Sequence, residues 1–260
     1  MVFKDIFMAM GASVSDAFKE VLLRDDRHVP AWLERGSAFE RMGATLLAML
    51  HFSRATTLVC ADAIVRKIEA LTQSTSLASL LSAVHLTFQE ANVLMVEGFF
   101  QYATPKYQIV LGCIEFVLAS PDLCTKESRD VVVEIHASLC QMRTACRLNI
   151  AGGYHEMQRS QLRGVDYCTK IFESSSGDES SATVLVQSVS HFRIGQLLRS
   201  AHDYERVLGH LKLSRKLVVG SQSSKQQQEA LQKIGKEIGR CAFDRSQHDL
   251  AFIRSLLEQQ

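Results

Sequence analysis

Apolar residues recur at spacings of three and four along almost the whole chain, and that period constrains the fold more than any other feature. It runs through "SLASLLSAVHLTF" at 76–88, "DVVVEIHASLCQMRTACRLNI" at 130–150 and "HDYERVLGHLKLSRKL" at 202–217. Such spacing puts apolar side chains on one face of an α-helix, whereas a strand needs alternation, and no clear alternating stretch is present. The only prolines are Pro30, Pro105 and Pro121, each beside turn-like sequence, so few long segments are broken. The chain is expected to be all-α. Its 260 residues suffice for a large core, in one domain, two, or a repeat array.

Charge narrows the function. A net charge of +1 predicts no strong field and argues against a dedicated nucleic-acid binder. From Arg193 to Arg254, however, twelve Lys and Arg face six Asp and Glu, so an acidic partner would prefer that end. Seven cysteines, odd in number and mostly set in apolar periodic sequence, suit reduced thiols. "MVFKDIFMAMGASVSD" is a poor secretory signal, and no stretch approaches the roughly 18 apolar residues of a membrane span. A cytoplasmic chain with no membrane span is the expectation.

Packing signals appear within the helical pattern. In "VPAWLERGSAFERMGATLLAMLHFSRATTL", residues 29–58, Trp32, Gly36 and Phe39 are followed by Ala48, Phe52 and Ala55. The small residues let two antiparallel helices approach, and the aromatics fill the space between neighbours. This stretch resembles a tetratricopeptide unit, with Arg35 where leucine is usual and Cys60 near the place of a common terminal proline. Weaker copies follow. One has Gly98 in a first helix, a turn at Pro105 to Tyr107, and Val110, Ile114 and Val117 in a second. Another has Ala151, then Gly164, Cys168 and Ile171. A third has Gly195, a turn at His202 to Tyr204, then Val207, Leu211 and Ser214, and a fifth unit would begin at Gly239 and Ala251. The steps from Gly36 to Gly98, Ala151, Gly195 and Gly239 are 62, 53, 44 and 44, longer than the roughly 34 of a standard unit. Some helices must therefore be extended.

The expected organisation is a helical cap over 1–27 with Gly11 as a turn, a tetratricopeptide-like repeat over 28–60, a connecting helix over 61–90, and further repeats with a C-terminal helix over 91–260. Residues 126–150 form a long lead-in, and "SSSGDESSA" at 174–182 a polar loop. The resemblance implies a tetratricopeptide-like α-α superhelix of four to five divergent helix pairs.

From about residue 90 onward, "LNIAGGYHEM", "HFRIGQLLRSAHDYERVLGHL" and the long terminal helix resemble the tetratricopeptide domain of large immunophilins and related co-chaperones. That resemblance implies a five-residue clamp for the acidic tail of a heat-shock chaperone. Asn149 and Arg193 fall on two of its positions, while Met95, Phe99 and Val189 occupy the other three and cannot donate to a carboxylate. Asn149 and Arg193 either hold a ligand in a more apolar groove or serve as a bridge between helices and a solvated charge with a packed stem.

No Gly-rich phosphate loop, nucleophile elbow or C-x-x-C pair is present. His155-Glu156 lacks the second histidine of a zinc helix. The function expected is a non-enzymatic adaptor that takes a protein or peptide in a groove lined by Met95, Phe99, Asn149 and Arg193, with His191 and Gln196 nearby and no cofactor. The alternatives are a co-chaperone with a reduced clamp and a helical enzyme built around Glu134, His136 and Cys140.

Overall fold

The structure, a computed structural model, describes residues 16–59, 61–72, 75–120, 123, 129–174, 180–220 and 225–257. The expected turn at Gly11, Cys60, Pro121, Cys124 and the middle of the polar loop lie outside them. Among the described residues there is no strand. The helices are α1 (16–24), α2 (Val29–Arg41), α3 (Thr45–Thr56), α4 (Asp62–Thr72), α5 (Leu77–Val96), α6 (Phe100–Ala119), α7 (Arg129–Glu156), α8 (Gln161–Ser174), α9 (Ser181–Ser200), α10 (Tyr204–Val219) and α11 (Lys225–Leu257). The class is all-α, with helices packed in neighbouring pairs.

Local chemistry sets the helix starts. Pro30 sits in the first turn of α2, where its missing N–H is no loss, and His28 Nδ1 accepts from the Ala31 N–H at 3.1 Å. Ser76, Ser180 and Asp203 cap α5, α9 and α10 by accepting from the N–H three residues on.

The ends of α2, α5, α7 and α9 share one device. At each, the residue after the cap takes positive φ: Gly43 at 74°, Gly98 at 83°, Gln158 at 52° and His202 at 60°. The next N–H then reaches back to the carbonyl of Phe39, Leu94, Tyr154 or Leu198. These are Schellman motifs, and each reverses the chain from the first to the second helix of a pair.

By its internal contacts the chain falls into two compact units, one through Asn149 and one from Ile150, with the division inside α7. In the first unit, Gly36 faces the ring of Phe52 so closely that a Cβ would stand 2.7 Å from it, which is how α2 and α3 meet. Gly112 of α6 lies against the backbone of α3, 2.8 Å from Arg54 Cα to a notional Cβ. Trp32 is fully buried and donates from Nε1 to the Asp26 carbonyl at 3.0 Å, while the buried Gln108 amide donates to the Asp26 carboxylate. Arg147 of α7 pairs with Glu115 of α6 at 3.2 Å.

In the second unit, Gly164 lies under Leu197 and Gly195 under Leu211. Ser188 and Ser214 each donate to the other's carbonyl, tying α9 to α10. The buried carboxylate of Glu237 in α11 is held by Arg199 of α9 at 2.9 Å and by Arg240 at 3.4 Å. Such a charge is tolerated in the interior only when paired.

Three expectations need correction. Gly98 lies in the turn between α5 and α6, not within a helix, because the left-handed backbone at that corner favours glycine. The reversal expected at Pro105 to Tyr107 therefore falls at residues 97–99, and Pro105 lies inside α6, where it forfeits one backbone bond. Gly239 and Ala251 open no new pair. Both lie in the single helix α11, where Gly239 faces open space instead of a close neighbour. Residues 61–90 hold all of α4 and most of α5. The five described cysteines, Cys113, Cys140, Cys146, Cys168 and Cys241, are free, and all but Cys140 are buried.

Candidate partner-binding sites

Met95 and Phe99 lie at the corner where α5 hands over to α6. Met95 is half-buried, and Phe99 is 50 % exposed. Val93 and Val96, one helical turn apart on α5, are 56 % and 89 % exposed. The corner is fixed by the bonds from Gly98 N–H to the Met95 carbonyl and from Phe99 N–H to the Leu94 carbonyl. Large apolar side chains are thus held in water on a defined backbone. The two valines were legible only as periodic residues, since exposure is not written in the sequence.

Asn149 is engaged inside the first unit. The hydroxyl of Tyr107 on α6 donates to Asn92 Oδ1 at 2.7 Å, and the Asn149 side chain lies near enough to that hydroxyl to favour its ionised form. Asn92 and Asn149 are the only asparagines of the chain, and both lie beside one buried tyrosine. Burial pushes the Tyr107 hydroxyl up to about 12, against the opposing pull of Asn149.

In the second unit, Arg193 lays its guanidinium over Gly152, with Nη2 3.3 Å from where a Cβ would stand, and donates from Nη1 to Gln196 Oε1 at 3.0 Å. Burial lowers its pKa, and the charges of Cys168 and Glu156 act to raise it. Arg193 and Gln196 are therefore brought together. His191 points to a different neighbour. Its ring stacks on Phe172 with centroids 4.5 Å apart, and its Nδ1 is 2.9 Å from His210 Nδ1. Burial, then the charge of His210, pushes the His191 pKa down to about 4. Val189, also on α9, is 41 % exposed.

Of the enzyme suspects, His136 and Cys140 meet on the surface of α7 with Nδ1 and Sγ 3.7 Å apart, and Glu134 lines a small cleft with Leu81, Val84 and Met142. Among the described residues no group of three His, Cys, Asp or Glu side chains is placed to hold a metal ion.

A larger cleft of about 740 Å³ opens within the first unit among α1, α2, α3, α5 and α6. Its walls are mainly leucines and aromatics, including Leu22, Leu47, Leu50, Leu86, Leu94 and Phe39, and it carries Lys19, Arg35, Lys106 and Glu90. Lys106 bonds Glu90 at 2.6 Å, Lys19 sits 5.4 Å over the Tyr102 ring, and Arg35 sits 5.6 Å over Phe39. Also in this lining is His51, whose Nδ1 bonds the Leu47 carbonyl and whose pKa falls to about 3 through burial and then the charge of Arg35. No single residue of α1, α3 or α5 advertises this cleft, because it exists only once five helices have packed.

No protein-family model matches the chain, and no curated protein matches it. No described helix is long and apolar enough to cross a membrane.

Proposed function

We propose that the chain is a non-enzymatic adaptor with a tetratricopeptide-like array of helix pairs, and that a protein or peptide partner docks at the α5–α6 corner. The observation that carries this reading is the apolar group of Val93, Val96 and Phe99, exposed together with half-buried Met95 on a corner closed by backbone hydrogen bonds. Exposed apolar groups on a rigid support lose little freedom on binding and gain the full burial, which suits an interface anchor. Recurring helix pairs, each reversed by the same cap, support the array. The co-chaperone reading has less behind it, since Asn149 lies beside Tyr107 and Arg193 lies over Gly152 with Gln196 as acceptor.

A photocrosslinking residue placed at Val96, and separately at exposed Gly209 of α10, tests the adaptor reading in expressing cells. One discrete adduct from position 96, absent from position 209 and lost on Phe99→Asp, is expected. The same adducts from both positions would refute it. Titration with a labelled acidic chaperone-tail peptide should give no Asn149-dependent binding, and such binding would restore the clamp.

A further inference from the structure

We infer that the cleft of the first unit is a binding site for a small amphiphilic carboxylate, an acyl chain bearing one anionic head, distinct from the partner surface at the α5–α6 corner. Its size comes first. About 740 Å³ falls within the roughly 300–1,000 Å³ of small-molecule sites.

Lining chemistry favours an acyl chain over an extended peptide. A bound strand brings N–H and C=O groups that need partners away from water. Among its described lining residues there is no Asn, Gln or Ser. Thr87 spends its hydroxyl on the Ala83 carbonyl at 2.8 Å, and His51 Nδ1 is taken by Leu47. An acyl chain makes no such demand, and leucine walls accept it by removing apolar surface from water.

Charge selects the head. Among its described lining residues three cations face the one carboxylate of Glu90, and Asp16 of α1 acts on Arg35 from outside that lining. The balance stays positive. Lys19 and Arg35 already lie over aromatic rings, which positions them beside apolar surface, where a carboxylate at the end of a chain would meet them.

The test uses the full chain and cis-parinaric acid, whose fluorescence rises in an apolar site. One probe per chain is expected, displaced by dodecanoate and at least about tenfold less well by dodecanol. Lys19→Glu should weaken dodecanoate by about tenfold while leaving dodecanol unchanged. Ala83→Trp, which fills the cleft, should abolish probe binding, with the helical circular dichroism and melting of both variants checked against wild type. Vesicles of phosphatidylglycerol separate a free amphiphile from a lipid surface, and the chain should not sediment with them. Equal displacement by dodecanol, probe binding that survives Ala83→Trp, vesicle binding, displacement by an acidic peptide, or no probe binding would each overturn the inference.

Discussion

Replacing glycine by alanine should move stability in opposite directions at two helical positions, for reasons visible in the packing. At Gly112, an added Cβ would stand 2.8 Å from Arg54 Cα, 2.9 Å from Arg54 N and 3.0 Å from Ser53 C. These are backbone atoms of a neighbouring helix, so no rotamer change relieves the clash and α3 and α6 must separate. Overpacking of this kind costs about 1–3 kcal/mol, and contact with backbone puts Gly112→Ala toward the upper end. Alanine returns about 1 kcal/mol through its helix propensity, which leaves a net loss of about 1–2 kcal/mol. At Gly209 of α10 nothing lies within 4 Å of the added Cβ. Only the propensity gain remains there, so Gly209→Ala should stabilise by up to about 1 kcal/mol. Urea denaturation followed by far-UV ellipticity measures both, and the fluorescence of Trp32, the only tryptophan, follows the first unit. Gly112→Ala as stable as wild type, or Gly209→Ala as destabilised as Gly112→Ala, would refute the close-approach account.

Acid should weaken the fold through His51. Its folded pKa of about 3 lies below the unfolded value of about 6.5, so the unfolded chain takes up the proton first and stability is lost as pH falls from about 6.5 toward 3. Denaturation midpoints across that range should fall more gently in His51→Leu than in wild type, and parallel slopes would contradict the assignment. Tyr107→Phe should cost about 1–3 kcal/mol, because Asn92 Oδ1 loses its donor, as measured by thermal unfolding. His202→Gly should raise the melting temperature, since His202 holds φ 60° where glycine is unstrained, whereas Gly98→Ala at φ 83° should lower it by a comparable amount, about 1 kcal/mol in each case.

Helical class and the local pairing of helices are written in the chain itself. A three-to-four period is a property of neighbouring residues, so Trp32, Gly36 and Phe52 announced the meeting of α2 and α3, and Gly164 and Gly195 announced later close approaches. Whatever depends on what a residue faces came only with the packed fold. Gly112 and Gly239 are both helical glycines, yet one lies against a backbone and the other against nothing. The turn at His202 was legible in the sequence, but the reversal at Gln158 was not, and at both the left-handed backbone of a non-glycine residue is imposed by the helix ends and the packing of the next helix. Asn149 stood out as a rare residue, but its place beside Tyr107 was hidden, since Tyr107 sits on another helix. The corner of Val93 and Val96 and the cationic cleft were hidden for the same reason. Periodicity says which side of a helix is apolar, and only the packing of all the helices says which part of that side is left uncovered.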